Sequence, residues 1–393
     1  MSYPEKIKIL FHLNQLGYGG TEKAILTFCE NLDRQRFIPC LYVYDKSKWI
    51  KKKLVWLSSF LSAKQKRKYQ KKYVAPWARL ERFQTVLGAD KLFIGGLQTL
   101  ASAVESVKPD IIHFNRGNWD GFFAQAIEKI PARVTCVETN IFGKPCDDSY
   151  LKRLSTVYFV SHWLLNKSPW HAGKGKVLYN PIKSPVSVEN LRAILDIPAN
   201  AFVLGRISRP DMIDDTFVLE VFDKLHKPDT YLIVLAATES IKEHARRNSH
   251  IKLIDATTNE RILSQFYNSL DVLLHRRIDG ETFGMNIAEA MIHGKPVISH
   301  FSHVDNAQAE LLHAGQNQAV GFVARENDQA EYLGYIQKLY ADKPLAKQMG
   351  NNAQQRANAL YQEQVVTRFL ENEYLNLLAQ GDAPRNRVDN EVK

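Results

Sequence analysis

The chain has 393 residues, 45% of them hydrophobic, and a formal net charge of +10. This length and composition suit two globular domains and exclude an intrinsically disordered chain. No signal peptide is expected because Met1–Lys6 lead straight into a strand, and the best apolar run, Leu54–Leu61, is too short to span a membrane. Four cysteines without C-x-x-C spacing predict reduced thiols in a cytoplasmic protein: Cys29, Cys40, Cys136 and Cys146.

The first predicted strand is Ile7–Leu13, and a glycine-rich turn follows it at Gly17, Gly19 and Gly20. A helix is predicted next, over Thr21–Leu32. Ligands of open α/β sheets bind outside the carboxyl ends of the strands, and backbone amides exposed at this turn suit a phosphate. Tight packing explains a glycine turn equally well, so both interpretations stay open at this point.

After a second strand, Phe37–Tyr44, the segment Lys46–Arg82 carries most of the positive charge. It contains thirteen Lys or Arg and one acid, which gives +12, so the rest of the chain is near −2. Apolar and aromatic residues recur among these lysines at roughly helical spacing, which favours binding to an anionic membrane surface. A solvated helical excursion and a site for an anionic glycan or lipid acceptor are the alternatives. Nucleic acid is not expected, because no nucleic-acid-binding motif accompanies the charge.

Polar residues stand at or just after the ends of two later strands, predicted at Ile111–Phe114 and Ala132–Val137. These residues are His113, Asn115, Arg116, Glu138 and Asn140. Because the carboxyl ends of parallel strands share one edge of a sheet, we expect these side chains to border a cleft. A lone histidine is more often structural than catalytic, so both interpretations stay open for His113.

The second half repeats the alternation of strands and helices. Its first strand, Ala201–Ile207, carries Arg206 near the end, and Arg209 follows in the loop. Two guanidinium groups at a strand's carboxyl end can hold the oxygens of a diphosphate by two-pronged hydrogen bonds. Surface ion pairs with acidic residues of the same loop are the alternative. These acidic residues are Asp211, Asp214 and Asp215.

The stretch Arg277–Ser299 is the most informative part of the chain. It follows a predicted buried strand, Leu270–His275, and contains a short loop, a helix over about Met285–His293 and the start of another strand. Gly294 stands where a left-handed glycine ends a helix, and Pro296 follows where no helix can continue. A strand, a loop, a helix and a further strand form the repeating unit of a parallel α/β sheet.

The loop and helix of this stretch carry two carboxylates. Glu281 precedes the helix and Glu289 lies two turns inside it. Between them, the first-turn amides have no helical partner and suit an anion; they belong to Gly284, Met285 and Asn286. A carboxylate, free amides and a second carboxylate could hold in order the sugar, phosphate and ribose of a nucleotide sugar. A solvated loop with two surface glutamates is the alternative.

The block E-T-F-G-M-N-I-A-E-A-M-I-H-G-K-P-V-I, residues 281–298, resembles the signature of family 4 glycosyltransferases. These are retaining enzymes with the α/β fold called GT-B, in which two Rossmann-like domains face each other across a cleft. Asn180–Pro181 resembles the family's turn at the edge of the first domain, and Leu191–Pro198 resembles the short helix that precedes its second domain. The resemblance implies an acceptor-binding domain at 1–182 with a basic insertion at 46–82, a nucleotide-sugar domain at 183–362, a helix at 363–380 that returns to the first domain, and a disordered tail at 381–393.

The resemblance also implies roles for single residues. Glu281 would hold sugar hydroxyls and Glu289 the ribose, while the arginines and the amides would stabilise the leaving diphosphate. The expected donor-binding residues are Gly19, Gly20, Arg206, Arg209, Glu281, Phe283, Gly284, Met285, Asn286 and Glu289. The expected acceptor-binding residues are Glu22, Asn115, Arg116 and Asn140. The expected catalytic residues are Glu281, Arg209, Arg206, Glu138 and His113.

The chain departs from the family pattern at two positions. Glu138 stands where many relatives carry a histidine that faces the reacting sugar, so Glu138 takes over part of that role or the site is built differently. Family members also place a lysine about six residues after the arginine of the second domain's first strand. The matching residues, Met212–Asp215, include no lysine. We therefore expect Arg206 and Arg209 to act together on the phosphates.

We expect a retaining, metal-independent glycosyltransferase that moves a sugar from a nucleoside diphosphate sugar to an acceptor hydroxyl. The acceptor would be a bacterial-type cell-surface glycan or glycolipid, such as lipopolysaccharide or capsule, and the location cytoplasmic, peripheral to the membrane if the basic segment binds it. No organic cofactor is expected, and His300, His303 and Asp305 match no standard metal site. A GT-B nucleotide-sugar epimerase and a non-catalytic GT-B module that binds an anionic partner are the alternatives.

Overall fold

The structure is a computed structural model that describes residues 5–45, 77–208, 216–225, 227–313 and 319–382. The chain forms two compact units. Unit 1 comprises the residues up to Pro181 and those from Glu363 onward, and unit 2 runs from Ile182 to Gln362. Most of the basic segment (46–76), Arg209 and the predicted tail beyond Asp382 lie outside the described residues.

Unit 1 is built on a seven-stranded sheet in the order β3-β2-β1-β4-β5-β6-β7, with every neighbouring pair parallel. Its central strands are almost continuous buried apolar runs, as expected of a parallel sheet covered by helices on both faces. The strands are β1 (Ile7–Leu13), β2 (Phe37–Tyr44), β3 (Leu92–Gly95), β4 (Ile111–Arg116), β5 (Thr135–Asn140), β6 (Leu154–Phe159) and β7 (Gly175–Val177). The helices before residue 181 are α1 (Gly20–Asn31), α2 (Leu80–Leu87), α3 (Leu97–Val107), α4 (Gly121–Glu128), α5 (Asp148–Arg153) and α6 (His162–Lys167).

Unit 2 is built on a six-stranded parallel sheet in the order β10-β9-β8-β11-β13-β15, with a separate parallel pair, β12 and β14. The strands are β8 (Phe202–Ile207), β9 (Thr230–Leu235), β10 (Ile251–Ile254), β11 (Val272–Leu274), β12 (Gly280–Glu281), β13 (Val297–His300), β14 (Asp305–Asn306) and β15 (Gly321–Ala324). The helices are α7 (Phe217–Leu225), α8 (Glu239–Ala245), α9 (Glu260–Ser269), α10 (Met285–Ile292), α11 (Ala307–Leu312), α12 (Gln329–Ala341) and α13 (Lys343–Leu360).

The last helix, α14 (Glu363–Asp382), belongs to unit 1 although it follows unit 2 in the chain. The Asp33 backbone N–H donates to Glu371 Oε1 at 2.7 Å and ties the end of α1 to this helix. Three side chains of α14 are buried in the apolar cluster formed with β1, β2 and α1: Val366, Leu370 and Tyr374. The core of unit 1 is therefore closed by residues from the end of the described chain.

Both sheets share one strand order, in which the first and fourth strands of the unit are neighbours. Chain connections leave these two strands in opposite directions, and this switch point is where doubly wound sheets bind ligands. It lies between β1 and β4 in unit 1 and between β8 and β11 in unit 2. The alternation of strands and helices predicted from the sequence is confirmed in both units.

Two predicted elements were wrong in their limits or type. The strand expected at Ala132–Val137 is β5 at Thr135–Asn140, because a turn comes first, with the Val134 N–H bonded to Pro131 O at 3.0 Å. Glu138 and Asn140 therefore belong to the strand. The short helix expected at Leu191–Pro198 is a set of turns that includes Asp196 at φ +52°. Within the described ranges, no helix is both long and apolar enough to cross a bilayer.

Candidate active site

The carboxyl edge of the unit 2 sheet gathers the residues predicted to hold a donor. Leu273 of β11 lies opposite Gly205 of β8, so these neighbouring strands end side by side. Arg206 near the end of β8 and His275 just after β11 therefore emerge at the switch point of this sheet. The loop after β11 leads to Glu281, and α10 begins directly beyond it.

A tight turn fixes the backbone of Glu281. Gly280 has φ +68°, and a Cβ at this position would lie 1.6 Å from the carbonyl oxygen of Asp305, so only glycine fits. The pairing of β12 with β14 follows from this close approach. The Glu281 N–H also donates to Gln308 Oε1 at 3.0 Å. The position of Glu281 is thus set by neighbours within unit 2.

Among the described residues, two side chains contact the Glu281 carboxylate, both at long distances. His275 Nε2 lies 3.3 Å from Oε1, and Arg277 Nη1 lies 3.4 Å from Oε2. His275 Nδ1 lies 2.9 Å from Ser299 Oγ, so the ring is held between this hydroxyl group and the Glu281 carboxylate. Burial raises the pKa of Glu281, but the His275 hydrogen bond and the Arg277 charge outweigh it and hold the pKa below its ordinary value. Glu281 is therefore an ionised acceptor, suited to sugar hydroxyls.

The start of α10 has the backbone geometry expected of the predicted anion site. Gly284 precedes the helix with φ +104°, a left-handed conformation that favours glycine. Amides of the first helical turn, including those of Met285 and Asn286, have no carbonyl partner within the helix, and the helix dipole adds a partial positive charge. Phe283 is 2% exposed and packs edge-on against Tyr361, so it supports the turn from the interior of unit 2.

The second carboxylate, Glu289, is held by a buried tyrosine. The Tyr267 hydroxyl donates to Glu289 Oε2 at 2.7 Å, and the Tyr267 ring stacks on His293 with 4.9 Å between centroids. His293 Nδ1–H donates to the Glu289 carbonyl at 2.7 Å, and Ser264 Oγ lies 3.0 Å from His293 Nε2. Burial and the adjacent Glu289 charge raise the pKa of Tyr267 well above its ordinary value, so its hydroxyl remains a donor.

Of the two predicted phosphate-binding arginines, the structure describes one. Arg206 is 6% exposed, and its Nε donates to Ser208 Oγ at 3.0 Å. Arg209 lies outside the described residues. The predicted donor residues Arg206, Glu281 and Gly284–Asn286 therefore share the carboxyl edge of one sheet, with Glu289 one helical segment further on.

A cavity of about 390 Å³ lies at the opposite, amino-terminal edge of the same sheet. Two of the cations that line it, Arg192 and Lys295, are bonded to protein groups. Arg192 donates to the carbonyl oxygens of Ser269, Ala199 and Ala201 and to Asp271, and Lys295 donates to Leu270 O at 2.8 Å. These bonds fasten the turns around residue 195 to the sheet, so the cavity belongs to the packing of unit 2.

In unit 1, the glycine-rich turn is held by a buried arginine. Gly19 precedes α1 with extended backbone, and Glu22 in the first turn is 6% exposed. Arg79 donates from its backbone N–H to Leu16 O at 2.8 Å and from Nε to Gly17 O at 3.1 Å. Arg79 was counted in the sequence only as part of the basic segment, whereas its side chain is 5% exposed and shapes this turn.

His113 is completely buried between two hydroxyl groups. Its Nδ1 lies 2.6 Å from Tyr374 Oη, and its Nε2 lies 2.7 Å from Thr139 Oγ1. Burial lowers the pKa of His113 to about 3, so the ring is neutral at physiological pH. Both ring nitrogens are therefore engaged by protein groups, which favours the structural interpretation over the catalytic one.

Arg116 and Glu138 form an ion pair at the ends of β4 and β5. Arg116 Nε donates to Glu138 Oε2 at 2.7 Å, and both side chains are 0% exposed. The other guanidinium nitrogens donate to Pro145 O at 3.1 Å and Lys144 O at 2.7 Å. Asn140 Nδ2 donates to Glu138 Oε1 at 3.1 Å. The pair thus anchors the loop that follows β5.

This network changes the interpretation of the residues predicted to bind an acceptor. Asn115 is 3% exposed and donates to His12 O at 3.0 Å, and Asn140 is fully buried like Arg116. In this conformation the three side chains shape the carboxyl edge from within. The sequence left open whether Glu138 replaces a histidine or the site is built differently, and its pairing with Arg116 supports the second possibility.

Residues 202–356 match the family model described as Glycosyl transferases group 1. The match spans the sheet of unit 2 and the segment that carries Glu281 and Glu289. Unit 2 belongs to this glycosyltransferase family. The resemblance to family 4 glycosyltransferases, which are retaining enzymes, is confirmed, and so is the prediction of a glycosyltransferase that uses a nucleotide sugar. No curated protein matches the sequence at a significant level.

Solved glycosyltransferase structures resemble this enzyme along nearly its whole length. A glycosyltransferase from Rickettsia africae is 16% identical with a TM-score of 0.66, over 95% of this chain and 99% of that one. Alr3699/HepE from Anabaena, in complex with UDP-glucose, is 18% identical with a TM-score of 0.68, over 94% and 100%. The lipopolysaccharide outer core galactosyltransferase WaaB, in its apo form, is 13% identical with a TM-score of 0.58, over 94% and 99%. These matches confirm the predicted GT-B fold.

Three side chains of the candidate site were not predicted from the sequence. His275 and Arg277 follow the carboxyl end of β11, the same kind of position that drew attention to Arg206, so their position was an available signal. Tyr267 lies 22 residues before Glu289, and only the packing of α9 against α10 brings its hydroxyl to the carboxylate.

Proposed function

We propose that the carboxyl edge of unit 2 binds the nucleoside diphosphate sugar. Glu281 accepts hydrogen bonds from hydroxyls of the transferred sugar, the amides at the start of α10 bind the diphosphate, and Glu289 binds the ribose. The observation that carries this proposal is the arrangement of two carboxylates around the start of α10. Glu281 lies before Gly284 and contacts His275 and Arg277, and Glu289 lies inside the helix and accepts from Tyr267.

Transfer then depends on stabilising the charge that develops on the leaving diphosphate. Arg206 and the first-turn amides of α10 supply this stabilisation from fixed positions, which avoids reorganisation as the bond breaks. In the family, the departing phosphate is thought to accept the acceptor's proton on the same face of the sugar, so no protein nucleophile is needed. His113 and Glu138 are both occupied by protein groups, and we assign neither to the reacting atoms.

The acceptor we propose is a cell-surface glycan or glycolipid at the cytoplasmic face of a membrane. The likeness to an outer core galactosyltransferase and the basic segment 46–82 support this choice. At the carboxyl edge of unit 1, Tyr18 after β1 is 49% exposed and Phe142 after β5 is 44% exposed. Exposed aromatic rings provide flat apolar surfaces on which sugar rings can stack.

A donor panel tests the proposal. UDP-, GDP-, ADP- and dTDP-sugars are screened by thermal shift, and transfer or slow donor hydrolysis is followed by NMR, which also reports anomeric configuration. We expect at least one donor to bind, an anomerically retained product, and a rate reduced roughly 100-fold or more in Glu281→Gln. The exposed Glu243→Gln serves as the matched control, with an unchanged rate. Wild-type protein that binds no nucleotide sugar would refute the proposal.

A further inference from the structure

The sequence that follows β8 is poorly suited to neutralise a diphosphate by itself. Beyond Arg206 it contributes one more arginine, three aspartates and no lysine through residue 215. The net charge of residues 209–215 is therefore −2. A diphosphate leaving group that carries two or more negative charges needs a further cation from another element of the edge.

Arg277 stands where such a cation would be expected. It follows β11, the strand that pairs with β8 at the switch point. Its backbone N–H donates to His300 Nε2 at 3.3 Å, so the loop is tied to the end of β13 as well. The start of α10, with Gly284 at its head, belongs to the same short loop segment.

The side chain of Arg277 also has bonding capacity to spare. It is 32% exposed, and its one hydrogen bond and ion pair with the described residues is the long 3.4 Å contact from Nη1 to Glu281 Oε2. Its Nε is buried and has no hydrogen-bond acceptor among the described residues. A buried N–H without an acceptor is unfavourable, and an incoming oxygen ligand would relieve that penalty.

The neighbouring Arg276 is used differently. Its guanidinium lies over the Phe217 ring, with Cζ 4.5 Å from the centroid, and donates to Asn327 Oδ1 at 2.8 Å and to the His300 ring. The two consecutive arginines thus point to distinct roles. Arg276 fastens the loop to the rest of unit 2, whereas the Arg277 side chain makes one long contact, to Glu281, within the described part of the chain.

We propose that Arg277 is a further cation of the diphosphate site, in the role that a lysine after β8 has in relatives. When the donor binds, its phosphate oxygens accept from Arg277 Nε and Nη, and the Glu281 carboxylate exchanges its long Arg277 contact for sugar hydroxyls. This exchange of contacts would prepare the phosphate-binding part and the sugar-binding part of the donor site together. This inference rests on the proposed function of unit 2 and names a residue that the family motif does not contain.

A comparison of the affinities for a nucleoside monophosphate and a nucleoside diphosphate tests the inference. Binding of UMP and UDP is measured by calorimetry for wild type and for Arg277→Gln. If the donor panel selects a guanine nucleotide, GMP and GDP are used instead. Loss of a charge-assisted contact should lower the UDP/UMP affinity ratio roughly tenfold or more while UMP affinity stays the same. Arg277→Lys should restore part of the ratio. The exposed Arg325→Gln, matched in chemistry, should behave as wild type.

Glu281→Gln separates a direct contact from a positioning role. If Arg277 only orients Glu281, the two glutamine variants will share one profile, with the UDP/UMP ratio intact and the affinity for UDP-sugar over UDP reduced; that result would overturn the inference. We expect the ratio to fall in Arg277→Gln alone. A wild-type protein that binds no nucleotide would instead refute the proposed function, so the two failures are distinguishable. Unchanged melting temperatures of the variants exclude misfolding. Affinities for UDP-glucuronic acid and UDP-glucose are also compared: if Arg277→Gln weakens only the binding of UDP-glucuronic acid, Arg277 binds a sugar carboxylate and the inference is wrong.

Discussion

Each unit places an arginine beside a glutamate at the carboxyl edge of its parallel sheet, and the two pairs are built in opposite ways. In unit 1, Arg116 and Glu138 are fully buried, 2.7 Å apart, and surrounded by backbone carbonyls and Asn140 that use their remaining bonding capacity. In unit 2, Arg277 and Glu281 are 32% and 17% exposed and 3.4 Å apart, and Arg277 Nε has no acceptor in the described part of the chain.

The difference lies in how completely each group is satisfied, because the residue types are the same. Breaking a buried ion pair whose hydrogen bonds are all made costs much free energy, and such a pair has few unused donors or acceptors for a ligand. A pair with long contacts and an unused donor exchanges partners easily. The same chemistry therefore fixes a loop in unit 1 and, in our proposal, receives a substrate in unit 2.

The largest effect is expected when the unit 1 pair is broken. Glu138→Gln keeps the shape but leaves the Arg116 charge buried without a counter-ion, which should lower the free energy of unfolding by about 3–5 kcal/mol. Urea denaturation measures this loss. Replacing both residues together, Arg116→Met with Glu138→Leu, should recover much of it, because no unpaired charge remains. A Glu138→Gln protein with the wild-type free energy of unfolding would show that this ion pair does not fix the loop after β5.

A smaller effect, about 2 kcal/mol, is expected from the pH dependence of His113. Its folded pKa, about 3, lies below the ordinary value of 6.5, so the unfolded chain binds a proton that the folded chain does not. The stabilisation is complete above pH 6.5 and is lost as the pH falls, by about 2 kcal/mol between pH 7 and 5, at about 1.4 kcal/mol per pH unit. Urea unfolding at both pH values should show a correspondingly weaker dependence in His113→Gln. The exposed His162→Gln should keep the wild-type dependence, and equal slopes in all three proteins would contradict the buried geometry.

The smallest effect on stability is expected at Arg277. Its contact with Glu281 is long and partly exposed, and such pairs contribute about 0–1 kcal/mol. Arg277→Gln should therefore unfold in urea within about 1 kcal/mol of wild type, although donor binding falls. A loss comparable to that of Glu138→Gln would place Arg277 in the same structural class as Arg116 and remove the contrast between the units.

The local part of the proposed donor site could be predicted from the sequence. Glu281, Gly284 and Glu289 lie within nine residues, so one loop and one helix fix their order, and Gly294 ends that helix at φ +68° as predicted. The alternation of buried strands and helices in the sequence likewise predicted both parallel sheets. These features depend on short-range geometry, which periodicity and glycine positions reveal.

The long-range part was not readable. Arg116 and Glu138 lie 22 residues apart, and their pairing depends on the register of β4 against β5. With the strand predicted three residues early, Glu138 was expected in a loop, where a carboxylate would face solvent or substrate. His113 meets Tyr374 across 261 residues. No pattern in sequence announces such contacts, so a structural histidine and a catalytic one look the same.

The discontinuous composition of unit 1 has a consequence for synthesis on the ribosome. Val366, Leu370 and Tyr374 complete its apolar core, yet they are translated after every residue of unit 2. Unit 2 is continuous and has all its strands available before α14 emerges. During translation, the second unit can therefore reach its native state while the core of the first still lacks α14. Phe37 of β2, which packs against Tyr374, stays exposed to water until that helix emerges. A nascent polypeptide stalled before residue 363 should accordingly be a stronger client for chaperones than the finished protein.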